Sequence, residues 1–294
     1  MPAREKFGTF AKMDTEHLRT FLEVARTRHF GKAAENLFVT QSAVSARIRL
    51  LESTLGVELF TRKRNDLQLT STGLRLLSHA ETIVGAWARA RQEAGLEPEY
   101  VDVLAIGGLF DLWPVFMNTW LAELPEVLPG VVITAEAHAT DTLVRRLVDG
   151  LLDLCVLFEY PQIRDLTARQ IGEVELILVA DRPDLVTHQA MSAGYILVDW
   201  GMSFSQEQAR RFTDLPSSSV RVGLGAIAYS FLIQRGGAAY LPAPLVQQDI
   251  ESGKLFRVVE APVFRRPVYA LHNASSTREA TILAAISALR VIAE

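Results

Sequence analysis

Apolar residues recur every three or four positions in the first hundred residues, and beyond residue 100 such helical patterns alternate with short apolar runs. The first spacing is typical of amphipathic helices, and short apolar runs bounded by turn residues are typical of strands. In the first part, the pattern predicts helices over residues 15–27, 31–37, 41–54 and 71–94, and a two-stranded wing over 61–70 with its turn near Asn65-Asp66. A small helical module followed by one long helix is therefore expected.

The second part of the chain predicts an α/β body. Strands are expected over residues 100–106, 131–137, 152–158, 173–180, 195–199, 220–222, 238–241 and 268–272. Helices are expected over 110–124 (interrupted near Pro114), 140–149, 205–212, 226–235, 244–251 and 277–293. Strands that alternate with helices favour a parallel sheet covered on both faces.

Length and composition narrow the class of protein. A chain of 294 residues has room for about two domains. Apolar residues make up 49% of it and charged residues 22%, as in ordinary globular proteins. No apolar run reaches the ~18 residues of a membrane span, and residues 1–12 lack the apolar core of a secretory signal. The single cysteine, Cys155, excludes an internal disulfide and a cysteine-based zinc site. We therefore expect a cytoplasmic protein without a membrane partner.

Charge is divided unevenly along the chain. The whole chain carries −4. Residues 26–75 nevertheless hold nine lysines and arginines against four acids, whereas residues 95–294 hold fifteen against twenty-four. A basic module on an acidic body is expected when one end of a protein meets the phosphates of a nucleic acid.

The third predicted helix has the chemistry needed to enter a DNA major groove. It follows a tight Phe38-Val39-Thr40 turn, and Thr40 is placed to cap its N-terminus. Glutamine pairs with adenine, arginine with guanine, and serine with a base or a phosphate. The candidate DNA-binding residues are Thr40, Gln41, Ser42, Ser45, Ala46, Arg47 and Arg49 on this helix, and Arg62, Lys63 and Arg64 on the wing. For the basic wing residues alone, a solvated surface is the alternative interpretation.

Residues 14–73 resemble the winged helix-turn-helix of the LysR-type transcriptional regulators. The matching positions include Phe21, Ala33-Ala34, Leu37, 41–45, Ile48, Leu51-Glu52, Leu55-Gly56, Leu59-Phe60, Leu69-Thr70 and Gly73. Residues 13–15, 20–24 and 26–30 are similar to the subgroup named for a repressor of the flagellar master operon, and Met13 is the expected functional start. The resemblance implies a sequence-specific regulator that binds double-stranded DNA at a dyad site, with RNA polymerase as a candidate partner.

The long helix is expected to join two copies of the chain. Leu77, Ala80, Val84 and Trp87 follow heptad spacing. Its 24 or so residues would span about 36 Å. In the LysR-type regulators, which the chain resembles, this helix serves for dimerisation. A homodimer or homotetramer is thus implied. The same apolar stripe could instead pack on the module that precedes it. The domains expected are a winged helix-turn-helix over 13–73, a linker helix over 74–95 and an effector-binding domain over 96–294.

The body resembles the family's effector domain, a two-lobed α/β fold of the type 2 periplasmic-binding-protein kind. Residues 145–154 and 236–242 carry the resemblance. It implies one lobe formed by 100–166 with 271–294, and a second formed by 167–270. In such folds a small-molecule effector lies between the lobes, where helices begin at the carboxyl ends of strands.

The candidate cleft residues follow from that placement. They are Gly107, Gly108, Leu109, Thr140, Trp200, Gly201, Phe204, Gly223 and Leu224. The first two glycines would allow a ligand to approach the backbone, Thr140 would offer a hydroxyl, and Trp200 or Phe204 a stacking face. Turn glycines and core aromatics are the alternative interpretation. Asp111 places a negative charge here, which disfavours a carboxylate effector.

Three functional classes remain open. The first is a ligand-responsive transcription regulator, and the second is a DNA-binding or architectural protein without a small effector. The third is an enzyme or transport-type binding body joined to a DNA-binding head. The six histidines lack metal-ligand spacing, and Gly223-Leu224-Gly225 lacks the last glycine of a dinucleotide fingerprint. No catalytic residue, cofactor or metal is therefore expected.

Overall fold

The computed structural model describes residues 14–63, 66–97, 99–192, 194–212 and 219–289. The chain divides into two compact units, residues 1–96 and 97–294. Met13 and Arg64, named above as the expected start and a wing-tip cation, lie outside the described residues.

The first unit is a helical head with a two-stranded wing. Its elements are α1 (Thr15–Thr27), α2 (Phe30–Asn36), α3 (Gln41–Leu55), β1 (Phe60–Lys63), β2 (Asp66–Leu69) and α4 (Ser71–Ala94). The predicted cap of α3 is confirmed, because Thr40 accepts a hydrogen bond from the amide of Ala43, and Asp14 caps α1 by accepting one from the amide of Glu16. The predicted wing is confirmed as well: Asp66 pairs with Lys63 and begins β2, and Asn65 of the predicted turn lies outside the described residues.

The core of the head comes from the predicted apolar faces. Val44, Ile48 and Leu51 of α3 are buried, and they face buried residues of α1 that include Phe21. The rings of Phe21 and Phe60 lie 5.5 Å apart, which fastens the wing to the helices. Full burial of such side chains contributes roughly 1.5–3 kcal/mol each. The orientation of α3 therefore depends on this core and is not a property of the helix alone.

The second unit alternates strands and helices. The elements are β3 (Asp102–Gly108), α5 (Asn118–Val127), β4 (Val131–Ala137), α6 (Thr140–Val148), β5 (Leu154–Leu157), β6 (Leu166–Ala180), α7 (Thr187–Ala190), β7 (Tyr195–Val198), α8 (Met202–Arg211), β8 (Val220–Val222), α9 (Gly225–Arg235), β9 (Ala238–Pro242), α10 (Ala243–Glu251), β10 (Phe256–Arg257), β11 (Phe264–Asn273) and α11 (Glu279–Ala288). A 3-10 turn over Phe110–Leu112 and a π-helical turn over Trp113–Met117 precede α5, at the interruption predicted near Pro114.

The sheet of this unit is mixed: the predicted parallel pairing is found within two groups of strands but not between them. The strand order is β4-β3-β5-β11-β6-β9-β7-β8, with β10 beside β6. β3, β4 and β5 run parallel, as do β7, β8 and β9, whereas β6 and β11 are antiparallel to each other and to their neighbours. β11 pairs with β5 of the first lobe, and β6 pairs with β9 of the second. These two long strands thus connect the two parallel groups, as the two-lobed resemblance implies.

No helix in the described part of the chain is long and apolar enough to span a membrane.

Candidate nucleic-acid interface and effector cleft

The N-terminus of α3 is exposed and is capped by the side chain of Thr40. The Thr40 hydroxyl accepts a hydrogen bond from the Ala43 amide at 3.2 Å, and it lies 2.9 Å from the Ser42 hydroxyl. The free amides of a helix start attract an anion such as a phosphate. Gln41 and Ser42 are exposed beside them.

One face of α3 remains open along its length. Ala46 and Arg49 are exposed and Ser45 is half-buried, while the opposite face forms the core. The Arg49 Nε donates to the carbonyl of Ser45 at 3.2 Å, so the guanidinium lies along the helix. Ser45 and Arg49 also line a groove of about 360 Å³ between α3 and the wing.

The Arg47 side chain contacts α1 and does not lie on the open face of α3. Its Nη1 donates to the Thr20 hydroxyl at 3.3 Å and lies 3.6 Å from a carboxylate oxygen of Glu16, both on α1. The guanidinium therefore ties α3 to α1. Sequence reasoning placed Arg47 at the flank of the open face because it could not see residues 27 positions away.

The wing carries two of its three candidate cations on β1. Arg62 and Lys63 pair with Leu67 and Asp66 of β2. The side chains of Arg62 and Lys63, like the whole of Arg64, lie outside what the structure describes.

Phe38 is a feature that sequence reasoning passed over. It stands in the turn before α3 with φ of 55°, a left-handed conformation, and its side chain is 96% exposed. A left-handed backbone at a residue with a bulky side chain is strained. Its place in the predicted turn between two helices is the only sequence signal for this conformation.

The linker helix α4 presents a different face from the predicted one. Ala80 is fully buried in the head, and Leu77 and Val84 are partly buried against the same cluster, so the predicted stripe packs at least in part within its own chain. This is the alternative packing considered for the stripe. Trp87 remains 53% exposed and Ile83 39% exposed. Since the two are four residues apart, they lie on one face.

In the second unit, the predicted cleft positions do converge at strand ends. Gly108 of β3 pairs in parallel with Ala137 of β4 and with Val156 of β5, which brings the loops after these strands together. On the other lobe, β7 and β8 run parallel and end before α8 and α9. Leu109 and Leu224 are partly buried in these loops, while Gly223 is exposed. Thr140 is half-buried at the first position of α6.

The glycines of β3 serve internal packing, contrary to the expectation that they admit a ligand. A Cβ on Gly107 would lie 2.6 Å from Leu143 and 2.7 Å from Leu152. A Cβ on Gly108 would meet the sulfur of Met117 at 2.2 Å. The protein's own side chains occupy the space that these glycines leave.

The two aromatic residues proposed for stacking are core residues. Phe204 is 1% exposed, and its ring packs edge-on against Phe264 and Tyr240. Trp200 is 3% exposed and donates its indole N–H to the Tyr240 carbonyl at 3.0 Å. Neither ring offers an open face to a ligand, because both are buried. Sequence reasoning did not find this because Tyr240 and Phe264 lie far from these aromatic residues in the chain.

Asp111 reaches from the first lobe to the start of α9. Its Oδ1 accepts a hydrogen bond from the Gly225 amide at 2.8 Å. Burial raises the pKa of the Asp111 carboxyl, and the amides of Gly225 and Ala226 oppose that rise. The negative charge noted in the sequence is thus engaged by the N-terminus of a helix on the other lobe.

Glu159 makes the equivalent contact at α8 and was missed by sequence reasoning. One of its oxygens accepts from Arg266 Nη2 at 2.9 Å and from the Ser203 amide at 3.3 Å. Arg266 is buried, its guanidinium lies 4.9 Å from the centre of the Phe158 ring, and burial lowers its pKa while Glu159 and Asp199 oppose that shift. No sequence pattern connects residues 107 positions apart.

Several side chains with potential catalytic or metal-ligating chemistry lie among the described residues. No group of three or more histidine, cysteine or acidic side chains among them is placed to hold a metal ion. Glu136, which shares a strand face with His138, already contacts both His138 at 3.0 Å and Arg146 at 2.8 Å. Cys155 is fully buried, and burial raises the pKa of its thiol, as expected of an unreactive cysteine.

Comparisons with known proteins match both units. Residues 15–74 match the family model of the bacterial regulatory helix-turn-helix proteins of the lysR family, and residues 99–291 match the LysR substrate binding domain. The HTH-type transcriptional regulator HdfR of Salmonella dublin is 36% identical over 273 residues, which cover 92% of this chain and 96% of that protein. HdfR of Yersinia enterocolitica is also 36% identical, over 279 residues that cover 92% of this chain and 94% of that protein.

Solved structures share the fold at lower identity. CbnR, described as a LysR family transcriptional regulator, superposes with a TM-score of 0.74 at 18% identity, covering 95% of this chain and all of that one. Full-length CbnR complexed with its target DNA gives a TM-score of 0.71 at 18% identity, covering 95% of this chain and 99% of that one.

Proposed function

The chain belongs to the LysR family of DNA-binding transcriptional regulators, and we propose that it reads a dyad operator through the exposed face of α3. The observation that carries the proposal is the capped, exposed start of α3, with Gln41 and Ser42 at that start and Arg49 exposed two turns further along the helix. A helix that enters a major groove contacts base edges with such residues.

Each side chain has a distinct role in this proposal. Gln41 pairs with adenine and Arg49 with guanine, because an amide and a guanidinium match the edges of those bases. Ser42 contacts a base or a phosphate, and the α3 amides and Thr40 fix the phosphate register. Arg62, Lys63 and Arg64 hold the DNA backbone regardless of sequence. Arg47 acts through α1 and positions the helix.

A dyad operator requires two heads, and α4 is the element we assign to dimerisation. The exposed pair Ile83 and Trp87 supplies an apolar face on that helix. Two copies packed through it form the dimer, and two dimers form the tetramer that the resemblance also allows.

The C-terminal unit controls the dimer. A small-molecule effector binds between the lobes and changes the angle between the paired heads. It does so by binding one arrangement of the dimer more tightly than the other, since a ligand shifts an equilibrium only through its different affinities for two states. RNA polymerase is the partner that such a change would affect. The protein acts in the cytoplasm, where operator DNA is found, and performs no catalysis.

An architectural DNA-binding protein without a small effector is the second candidate. It is favoured by Asp111 and Glu159, which already fill helix starts where an effector would be held. A thermal-shift screen against a broad metabolite panel separates the two, since a ligand that binds the native state raises its stability by mass action.

The direct test is a footprint on the DNA upstream of the protein's own gene, with a salt titration. We expect protection of a dyad tens of base pairs long, and an affinity that falls steeply as salt rises. Binding without a discrete footprint would favour the architectural candidate. Absence of binding at low salt would contradict DNA recognition altogether.

A further inference from the structure

Two carboxylates of the first lobe bind the starts of two helices of the second lobe. Asp111 follows β3 and accepts from the first amide of α9, and Glu159 follows β5 and accepts from the Ser203 amide in the first turn of α8. Helix starts carry partial positive charge and unpaired amides, so a carboxylate is a natural ligand for them. The protein thus supplies its own anions to the interlobe cleft.

The two carboxylates differ in how easily another anion could replace them. Asp111 is largely enclosed and lies 2.8 Å from its amide. The Glu159 side chain is 43% exposed, and its contact with Ser203 is longer, at 3.3 Å. Because a path to solvent is open, Glu159 can leave α8 without dragging buried groups into water.

Arg266 is left incompletely satisfied by Glu159. The arginine side chain is only 4% exposed, and its Nη1 has no hydrogen-bond partner among the described residues. Buried donors without an acceptor are rare. Glu159 reaches the guanidinium through Nη2, whereas a free carboxylate can accept from both nitrogens at once.

Gly201 lets the Glu159 carboxylate and the Arg266 guanidinium come close to the start of α8. Its φ is +94°, and a Cβ at this position would lie 3.3 Å from the Glu159 carboxylate and 3.4 Å from Arg266. A side chain there would therefore crowd the contact between the carboxylate, the guanidinium and the start of α8.

We propose that Glu159 is an internal stand-in for the effector, and that the effector is a small anion whose acid group displaces Glu159 from Arg266 and the Ser203 amide. The displaced Glu159 releases the first lobe from α8, so that binding is coupled to movement between the lobes. Asp111 remains on α9 and excludes a second anion there. This inference rests on the proposed control by an effector.

Chemical rescue tests the exchange on the full-length protein. The Glu159→Ala variant lacks the competing carboxylate, so formate should bind in its place. In this variant, about 100 mM formate should raise the midpoint of thermal unfolding by ~2–4 °C relative to chloride at equal ionic strength. Wild-type protein should show no such shift, because its tethered carboxylate outcompetes formate. Glu159→Gln, which keeps an oxygen for the amide and the shape of the side chain, should fold normally and respond less than Glu159→Ala.

Glu175→Ala is the matched control. Glu175 is also 43% exposed, and it pairs at 2.9 Å with Arg265, the neighbour of Arg266, away from any helix start. Equal responses of Glu159→Ala and Glu175→Ala, or no response of Glu159→Ala, would overturn the proposal. A thermal shift specific to Glu159→Ala supports the exchange site. If formate then leaves its DNA footprint unchanged, the site stands and the proposed effector control fails.

Discussion

Phe38 combines a left-handed backbone with a side chain that contributes almost no packing. Its φ is 55° and its ring is 96% exposed. Asparagine tolerates this conformation better than other residues with a Cβ do. Phe38→Asn should therefore raise the free energy of unfolding by about 1 kcal/mol, measured by urea denaturation.

Phe38→Ala is the control for that gain. Alanine removes the exposed ring but keeps the Cβ and hence the strain, so its stability should stay close to wild type. Equal gains for Asn and Ala would show that the exposed ring, and not the backbone, is the source of the cost.

Asp111 gives a pH dependence with a defined sign. Because burial raises its pKa, the folded protein binds this proton more readily than the unfolded chain. Its contribution to the free energy of unfolding must then increase as pH falls from neutrality towards the ordinary aspartate pKa. Asp111→Asn retains an oxygen for the Gly225 amide without the charge. The variant should be at least as stable as wild type at pH 7, and the gap should close towards pH 4 in denaturation curves. A gap that widens in acid would contradict the burial argument.

Residue roles were predictable from sequence where they depend on local geometry. Thr40 was expected to cap α3 because a cap acts within one turn, and the exposed face of α3 follows from helical spacing. Arg47 and Phe204 were assigned to surfaces because their partners lie far along the chain. Thr20 and Tyr240 reach them only through packing of other elements.

At the scale of elements, Gly73 decides how α4 leaves the wing. A Cβ there would lie 2.3 Å from the carbonyl oxygen of Leu59, a backbone atom that cannot move aside. Alanine normally stabilises a helix by about 1 kcal/mol relative to glycine. Gly73→Ala should instead destabilise the protein by about 1–3 kcal/mol. The measurement is the midpoint of thermal unfolding, and the control is Arg75→Ala, which places alanine at an exposed site in the same turn. A Gly73→Ala variant more stable than wild type would refute the clash.

The exposed face of α4 is the expected dimer interface. If Ile83 and Trp87 form the dimer seam, replacing both with serine should raise the dimer dissociation constant at least tenfold, because about 2 kcal/mol of apolar burial is lost. Sedimentation equilibrium over a concentration series measures this change.

Leu74 is the matched control for that seam. It is 60% exposed on the same helix, and nine residues before Ile83 it projects from the opposite side at 3.6 residues per turn. Leu74→Ser should leave association unchanged. Equal weakening by both changes would place the interface elsewhere.

Elements with a strong period were predicted well, and those without one were not. The limits of α1 and α4 agree with the sequence prediction. The first half of β6 was missed because Leu166–Gly172 alternates polar residues such as Arg169 with half-buried ones, so no apolar run marks it. That segment is paired by β11 along its length, and such long-range pairing leaves little local trace.

The whole molecule joins a DNA-reading head to a two-lobed α/β unit. The division of charge and the helix-turn-helix signature allowed this organisation to be predicted, and the family comparisons confirm it. The interior of the cleft was not predictable in the same way. Which residues stay open between lobes depends on side chains such as Arg266 and Glu159, brought together only when β11 closes the sheet.

In the proposed complex, α3 reads sequence through Arg49. The measurement is the affinity of wild-type, Arg49→Ala and Arg47→Ala proteins for the footprinted operator and for random DNA of equal length, at one salt concentration. Arg49→Ala should lose about 5- to 150-fold on the operator, the equivalent of 1–3 kcal/mol, and much less on random DNA. Arg47→Ala should mainly lower the stability of the head. Equal losses by Arg49→Ala on operator and random DNA would show that Arg49 does not read sequence.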